Sequence, residues 1–367
     1  MHDGAKREKK VNQAPLPAID CDVHPTVPGM HALLPYFDDF WREHVLARGI
    51  DSLETISYPP NTPLAVRADW RGSEGRAASD ATTLARDMLD PSGTRTAILN
   101  CLYGVQLPFN EDFARAATRA VNDWVAREWL DKDARLRASI LVPPQNIAYA
   151  VEEIERCASD RRFVQVMVLA MGEHPLGRRQ FWPIYAAAER HGLPIGIHAG
   201  SSYRHPVTSL GWTNYYIEDY VSQSLGFQAQ VASLITEGVF AKFPKLKVVL
   251  IESGVSWAPA FLWRLTKFWR GMRSEVPWVD RPPWEIFRDH IRMTITPLDA
   301  PDTAETVAKL AEHLHSEEIL LYSSDYPHWQ FDGDDAMPAG LPPNLRTKIM
   351  VDNPLATYPR CREAAVQ

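Results

Sequence analysis

The 367-residue sequence predicts an α/β protein closed into a (β/α)8 TIM barrel, with extended loops after strands one and five. Three observations carry that expectation. Eight short β-rich runs alternate with stretches whose apolar residues recur at i, i+3 and i+4. The runs are almost all too apolar to leave one face in water, which is the mark of a parallel sheet covered by helices. Finally, no GxGxxG follows the first run and eight units are many for a doubly wound sheet, so closure is the better reading.

The strands are expected at 18–24, 95–101, 136–142, 163–171, 194–198, 247–252, 291–296 and 319–323. Helices are expected between them at 111–130, 148–158, 180–191, 228–242, 258–273 and 303–315. A further helix near 30–48 and the Pro-rich stretch 58–63 lie within 25–91, an insertion between strands one and two. The segment 201–225 after strand five is rich in Tyr, Trp, Ser and Asn. Both excursions leave the C-terminal ends of strands, where barrel enzymes build their sites, so they are candidate substrate walls. The domain reading is therefore a solvated tail at 1–17 followed by one barrel domain over 18–360.

Composition removes several function classes. Hydrophobic residues make up 45% and charged residues 23%, which excludes a mainly disordered chain. A formal net charge of -7 without a basic stripe argues against nucleic acid. No apolar run approaches the roughly 18 residues needed to cross a bilayer, and the charged first ten residues lack the apolar stretch of a secretion signal. Four cysteines, none in a CxxC pair, make no disulfide framework, so a reducing cytoplasm is the expected address.

Strand ends carry the chemistry. Residues two apart on a strand point to the same side, so Asp22 and His24 project together and Asp20 sits one step deeper, while Cys21 alternates away. Strand five delivers His198 and strand eight delivers Asp325. If the barrel closes, these four meet at one mouth, and such N/O donors with an open position suit one catalytic Zn2+ or Mn2+. Strand four offers no Lys, Glu or His to bridge a second ion. Glu252 ends an apolar strand, where burial would raise its pKa and suit it to proton transfer. His328 follows Asp325 toward the same mouth. Trp257, Trp263 and Trp269 do not return to one helix face and read as separate core or interface contacts.

These residues resemble the amidohydrolase-related branch of the amidohydrolase superfamily, the group that includes aminocarboxymuconate-semialdehyde decarboxylase and γ-resorcylate decarboxylase. The carriers are IDCDVHP at 19–25, FWPIYAAAERHGLPIGIHAG at 181–200, FAKFPKLKVVLIESG at 240–254, LYSSDYPHW at 321–329 and DNPLATY at 352–358. The resemblance implies a barrel with one divalent ion held by Asp22, His24, His198 and Asp325. Two departures stand out: Asp22 occupies a position that is His or Glu in the family, and Glu252 stands where a histidine is usual. Arg264 lies near an arginine that, in some relatives, reaches a neighbouring subunit's substrate.

Two reactions follow from one ion and one aspartate. In the first, Asp325 protonates the ring carbon of an aromatic or enol-like acid and carbon dioxide leaves. In the second, water attacks an amide, ester, lactone or activated ketone, with Asp325 as base and Glu252 or His328 as acid. The carboxylate at position 22 leans toward decarboxylation and Glu252 in place of the usual histidine leans away from it, which leaves decarboxylation favoured by a narrow margin, and a non-catalytic barrel scaffold is the third reading. Tyr203 and Trp212 in the aromatic segment suit a flat small-molecule substrate, although such residues equally suit a homodimer or homotetramer interface.

Overall fold

The computed structural model describes residues 17–53, 66, 70, 77–300, 303–328 and 337–363. Most of the expected tail and the motif at 58–63 fall outside the described residues. Eight strands form one all-parallel sheet in sequence order. They are β1 Ile19–Val23, β2 Thr96–Leu99, β3 Leu136–Leu141, β4 Phe163–Met171, β5 Ile195–Ser201, β6 Val248–Ile251, β7 Ile291–Thr294 and β8 Leu320–Leu321.

Backbone hydrogen bonds join the two ends of that order. Cys21 donates to the Tyr322 carbonyl at 2.9 Å, Asp325 to Asp22 at 3.1 Å and His24 to Tyr326 at 2.7 Å. The sheet is thus a barrel, as the sequence predicts. Every residue of β4 is buried, which is the physical reason its sequence FVQVMVLAM shows no polar alternation.

The helical layer contains α1 Asp39–Arg48, α2 Glu111–Val125, α3 Ile147–Cys157, α4 Trp182–Arg190, α5 Tyr216–Thr236, α6 Ala258–Met272, α7 Pro283–His290 and α8 Ala304–His313. Local chemistry sets several starts. Asn110, Asn146 and Thr303 each accept a hydrogen bond from a backbone N–H three residues on, capping α2, α3 and α8. The inner stripe of α2, including Phe113, Ala117, Val121 and Trp124, is buried against the barrel.

Two elements differ from the sequence expectation. The helix expected to begin at 228 begins at Tyr216, so the loop after β5 is shorter than predicted and the aromatic segment is helical from Tyr216 on. The helix α7 is not among those expected from the sequence. Pro283 is its first helical residue, where a missing N–H costs nothing.

Candidate metal centre

Six polar side chains from four strand ends meet at the C-terminal mouth of the barrel. Asp22 is the fourth residue of β1 and His24 follows its end. His198 lies in β5, Glu252 directly follows β6, and Asp325 and His328 follow β8. All six are buried or nearly so. The turns that present Glu252 and Asp325 are strained, with φ of 55° and 58°, a region that side-chain-bearing residues seldom occupy.

His24 Nε2 is the hub. It lies 3.2 Å from Asp22 Oδ1, 3.1 Å from Glu252 Oε1 and 3.0 Å from Asp325 Oδ1. His198 Nε2 is 3.2 Å from Glu252 Oε1 and 3.6 Å from Asp22 Oδ1. The His328 ring stacks on His24 at 4.4 Å, and its Nδ1 is 3.0 Å from Asp325 Oδ1. Two overlapping donor groups result, Asp22, His24, His198 and Glu252 on one side, and His24, Glu252, Asp325 and His328 on the other.

The rings are held from behind. His24 Nδ1 donates to the Asn100 carbonyl at 2.8 Å, and His198 Nδ1 donates to the Ala199 carbonyl at 2.7 Å. With Nδ1 so engaged, each ring turns its Nε2 to the centre, where the neutral form presents a lone pair to a cation. Asn100 Nδ2 also donates to Asp22 Oδ1 at 2.8 Å, and Asn100 Oδ1 accepts from Ser139 and Gln165 in the barrel interior. Below Asp22, the buried Asp20 accepts from the backbone N–H groups of Asp22 and Ser324.

Charge and burial compete in this cluster. Burial opposes ionisation of Asp22, yet His24 and His198 outweigh it and hold the carboxyl at about 2. Burial likewise opposes charging of His198, but the carboxylates of Glu252 and Asp22 lift it to about 10. Asp325 is pushed up to about 6, by burial first and then by the neighbouring Glu252 charge. Glu252 corrects the sequence expectation. Burial does push its carboxyl up, but His198, helped by contacts from His24 and His328, prevails and holds it well below the usual carboxylate range.

The donor chemistry fits a divalent cation. Asp22 Oδ2, His198 Nε2, Glu252 Oε1 and His328 Nε2 are buried without an aligned hydrogen-bond partner, although several lie at ion-pair distance from one another. Buried polar atoms of this kind are rare unless something else binds them. Three carboxylates and three imidazoles converging out of water supply both the negative charge and the N/O ligands that such an ion requires.

The other predicted site residues lie elsewhere. Tyr203 is partly buried after β5 and Trp212 is 54% exposed. Arg264 is exposed on α6, with its guanidinium over the Phe268 ring at 4.9 Å, and makes no contact with the cluster of its own chain. Asn100 was missed in the sequence, although a polar residue ending the apolar strand TAIL is the same signal that singled out Glu252.

Comparison with known proteins places these observations. The γ-resorcylate decarboxylase of Polaromonas sp. (strain JS666 / ATCC BAA-500) is 27% identical over 266 residues, covering 67% of this chain and 76% of that protein. A dihydroxybenzoic acid decarboxylase structure from Polaromonas sp. JS666, with bound manganese and the inhibitor 2-nitroresorcinol, aligns at a TM-score of 0.65 and 18% identity. That alignment covers 95% of this chain and 98% of the other. The 5-carboxyvanillate decarboxylase of Sphingomonas paucimobilis aligns at 0.64 and 19% identity, covering 93% and 98%. These structural likenesses bear on the fold. The amidohydrolase family model matches residues 19–360, nearly the whole barrel, and the chain therefore belongs to the amidohydrolase family.

Proposed function

We propose that the protein is a metal-dependent decarboxylase of a small aromatic carboxylate, built as a single barrel domain over 18–360. One observation carries the reading: three carboxylates and three imidazoles are buried in two overlapping donor groups at the barrel mouth, and four of their polar atoms have no aligned hydrogen-bond partner among the described residues. The sequence relatives named γ-resorcylate decarboxylase support the reaction, and the manganese in a structural neighbour favours Mn2+ over Zn2+. Asp22, His24, His198 and Asp325 would hold the ion. When bound, it supplies positive charge that orients and neutralises a carboxylate.

The chain's own groups then divide the remaining work. Asp325 delivers a proton to the ring carbon, the bond from that carbon to the carboxylate breaks, and carbon dioxide leaves. His328 orients Asp325 through its 3.0 Å contact. Glu252 sits between His24 and His198 and keeps both rings facing inward. Tyr203 and Trp212 supply the aromatic wall, while Arg264, exposed on α6, serves a neighbouring subunit's site. A homodimer or homotetramer is supported by Ile217, Val221 and Leu225, which recur every four residues along α5 and are 69%, 67% and 46% exposed.

The deciding experiment incubates the Mn2+-loaded protein in D2O with hydroxybenzoates and, in parallel, aryl amides and esters. Carbon dioxide release with one deuterium at the vacated ring carbon is expected. Cleavage of the amides or esters without carbon dioxide release from any acid would replace this reading with a hydrolase.

A further inference from the structure

On the outside of the barrel, α6, α7 and α8 leave a cavity of about 550 Å³ between them. It shares no lining residue with the metal centre. Its size falls within the roughly 300–1,000 Å³ of typical small-molecule sites. The floor is apolar: Leu262, Phe287, Leu314 and Ile319 line it and are buried. Trp263 and Trp284 form walls, as flat surfaces on which a ring or acyl chain can lie.

The polar lining has one sign. Lys267, Arg270 and Arg288 supply the formal charge, the imidazoles of His313 and His315 add to the lining, and no Asp or Glu joins them, in a chain whose formal net charge is -7. Arg288 pairs with Asp289 at 3.0 Å. Among the described residues, Lys267 and Arg270 have no carboxylate within ion-pair distance, so their charge is available. They lie three residues apart on α6 and reach the same side of it.

A second, independent observation points into the same cavity. Thr266 is 7% exposed and lines the wall, and its Oγ1 has no hydrogen-bond partner among the described residues. A helical threonine ordinarily returns its hydroxyl to the carbonyl four residues back, as Thr118 does to Ala114 at 2.7 Å in α2. The Thr266 hydroxyl makes no such bond, and leaving a buried hydroxyl unsatisfied is costly. A ligand oxygen would supply the missing partner.

We propose that this cavity is a second binding site, separate from the barrel mouth, for an apolar monocarboxylate whose ring or short acyl body fills the Leu262–Phe287 floor. Its carboxylate pairs with Lys267 and Arg270, and Thr266 donates to one of its oxygens. The inference is independent of the reaction assigned to the mouth.

Calorimetric titration of the Mn2+-loaded enzyme with 2-naphthoate tests it, with the uncharged 2-naphthylmethanol as comparison. A saturable event is expected that weakens at least tenfold in K267A/R270A and for the alcohol, and that K267R/R270K retains. Turnover at the mouth stays unchanged in all these variants. An isotherm indifferent to K267A/R270A, or equal binding of the alcohol, overturns the site. Sedimentation showing that the wild type self-associates and K267A/R270A does not would assign the cavity to a second copy of the chain and overturn it too.

Discussion

Asp325 carries more of the proposed chemistry than any other single residue, because it contacts both His24 and His328 through one oxygen. Replacing it by Asn keeps the shape and removes the acid. We expect D325N to lose about 10²- to 10⁴-fold in kcat, the usual contribution of a positioned acid or base, with the thermal melt of the metal-free protein by circular dichroism essentially unmoved. Near-normal turnover would remove Asp325 from the mechanism. Far from the mouth, His290 donates through Nδ1 to the Leu246 carbonyl at 2.9 Å and stacks on Phe240 at 4.6 Å. Burial, reinforced by Lys247 and Arg281, lowers its pKa below the ordinary 6.5. The unfolded chain therefore takes up a proton near pH 6.5 that the folded state resists, so this stabilisation is complete above that pH and fades as the pH falls below it. The Tm difference between wild type and H290N should shrink from pH 7.5 to pH 5, and a difference independent of pH would refute it.

At the scale of elements, β2 does two things at its end. The Asn100 carbonyl holds His24, and the Asn100 side chain holds Asp22 while accepting from Ser139 and Gln165. N100A keeps the first contact and loses the second. Metal titration should show about 10- to 100-fold weaker Mn2+ binding, in keeping with losses of groups that orient ligands, while kcat at saturating Mn2+ changes far less. Unchanged affinity would make Asn100 merely structural. The eight strands and the placement of Asp22, His24, His198 and Asp325 were legible in the sequence because apolar runs ending in one or a few polar residues are a local signal. What escaped depends on partners distant in the chain. The start of α5 lacks a Ser, Thr or Asp cap and is instead held by Glu218 accepting from the backbone of Asn214 and Tyr215. The low pKa of Glu252 was also out of reach, since it is fixed by His198, 54 positions away in sequence yet 3.2 Å in space.

For the whole molecule, the concentration of buried carboxylates at the mouth ties stability to the ion. A cation bound only by the folded state stabilises it by about 2.7 kcal/mol when present at 100 times its dissociation constant. Removing metal with a chelator should lower the Tm by a few degrees in scanning calorimetry, and Mn2+ should restore it. A melt insensitive to both treatments would mean that no ion occupies the centre. Barrel closure has a further consequence during synthesis. Asp22 and His24 emerge early, yet the hydrogen bonds that close β1 come from Tyr322, Asp325 and Tyr326, about 300 residues later. Joining ends so far apart costs about 5 kcal/mol of loop entropy on the (3/2)RT ln n scale. A nascent chain still threading the ribosome exit tunnel thus owns half of its proposed ligands without a cavity to hold them, and an ion bound by all four would have to wait for release of nearly the last strand.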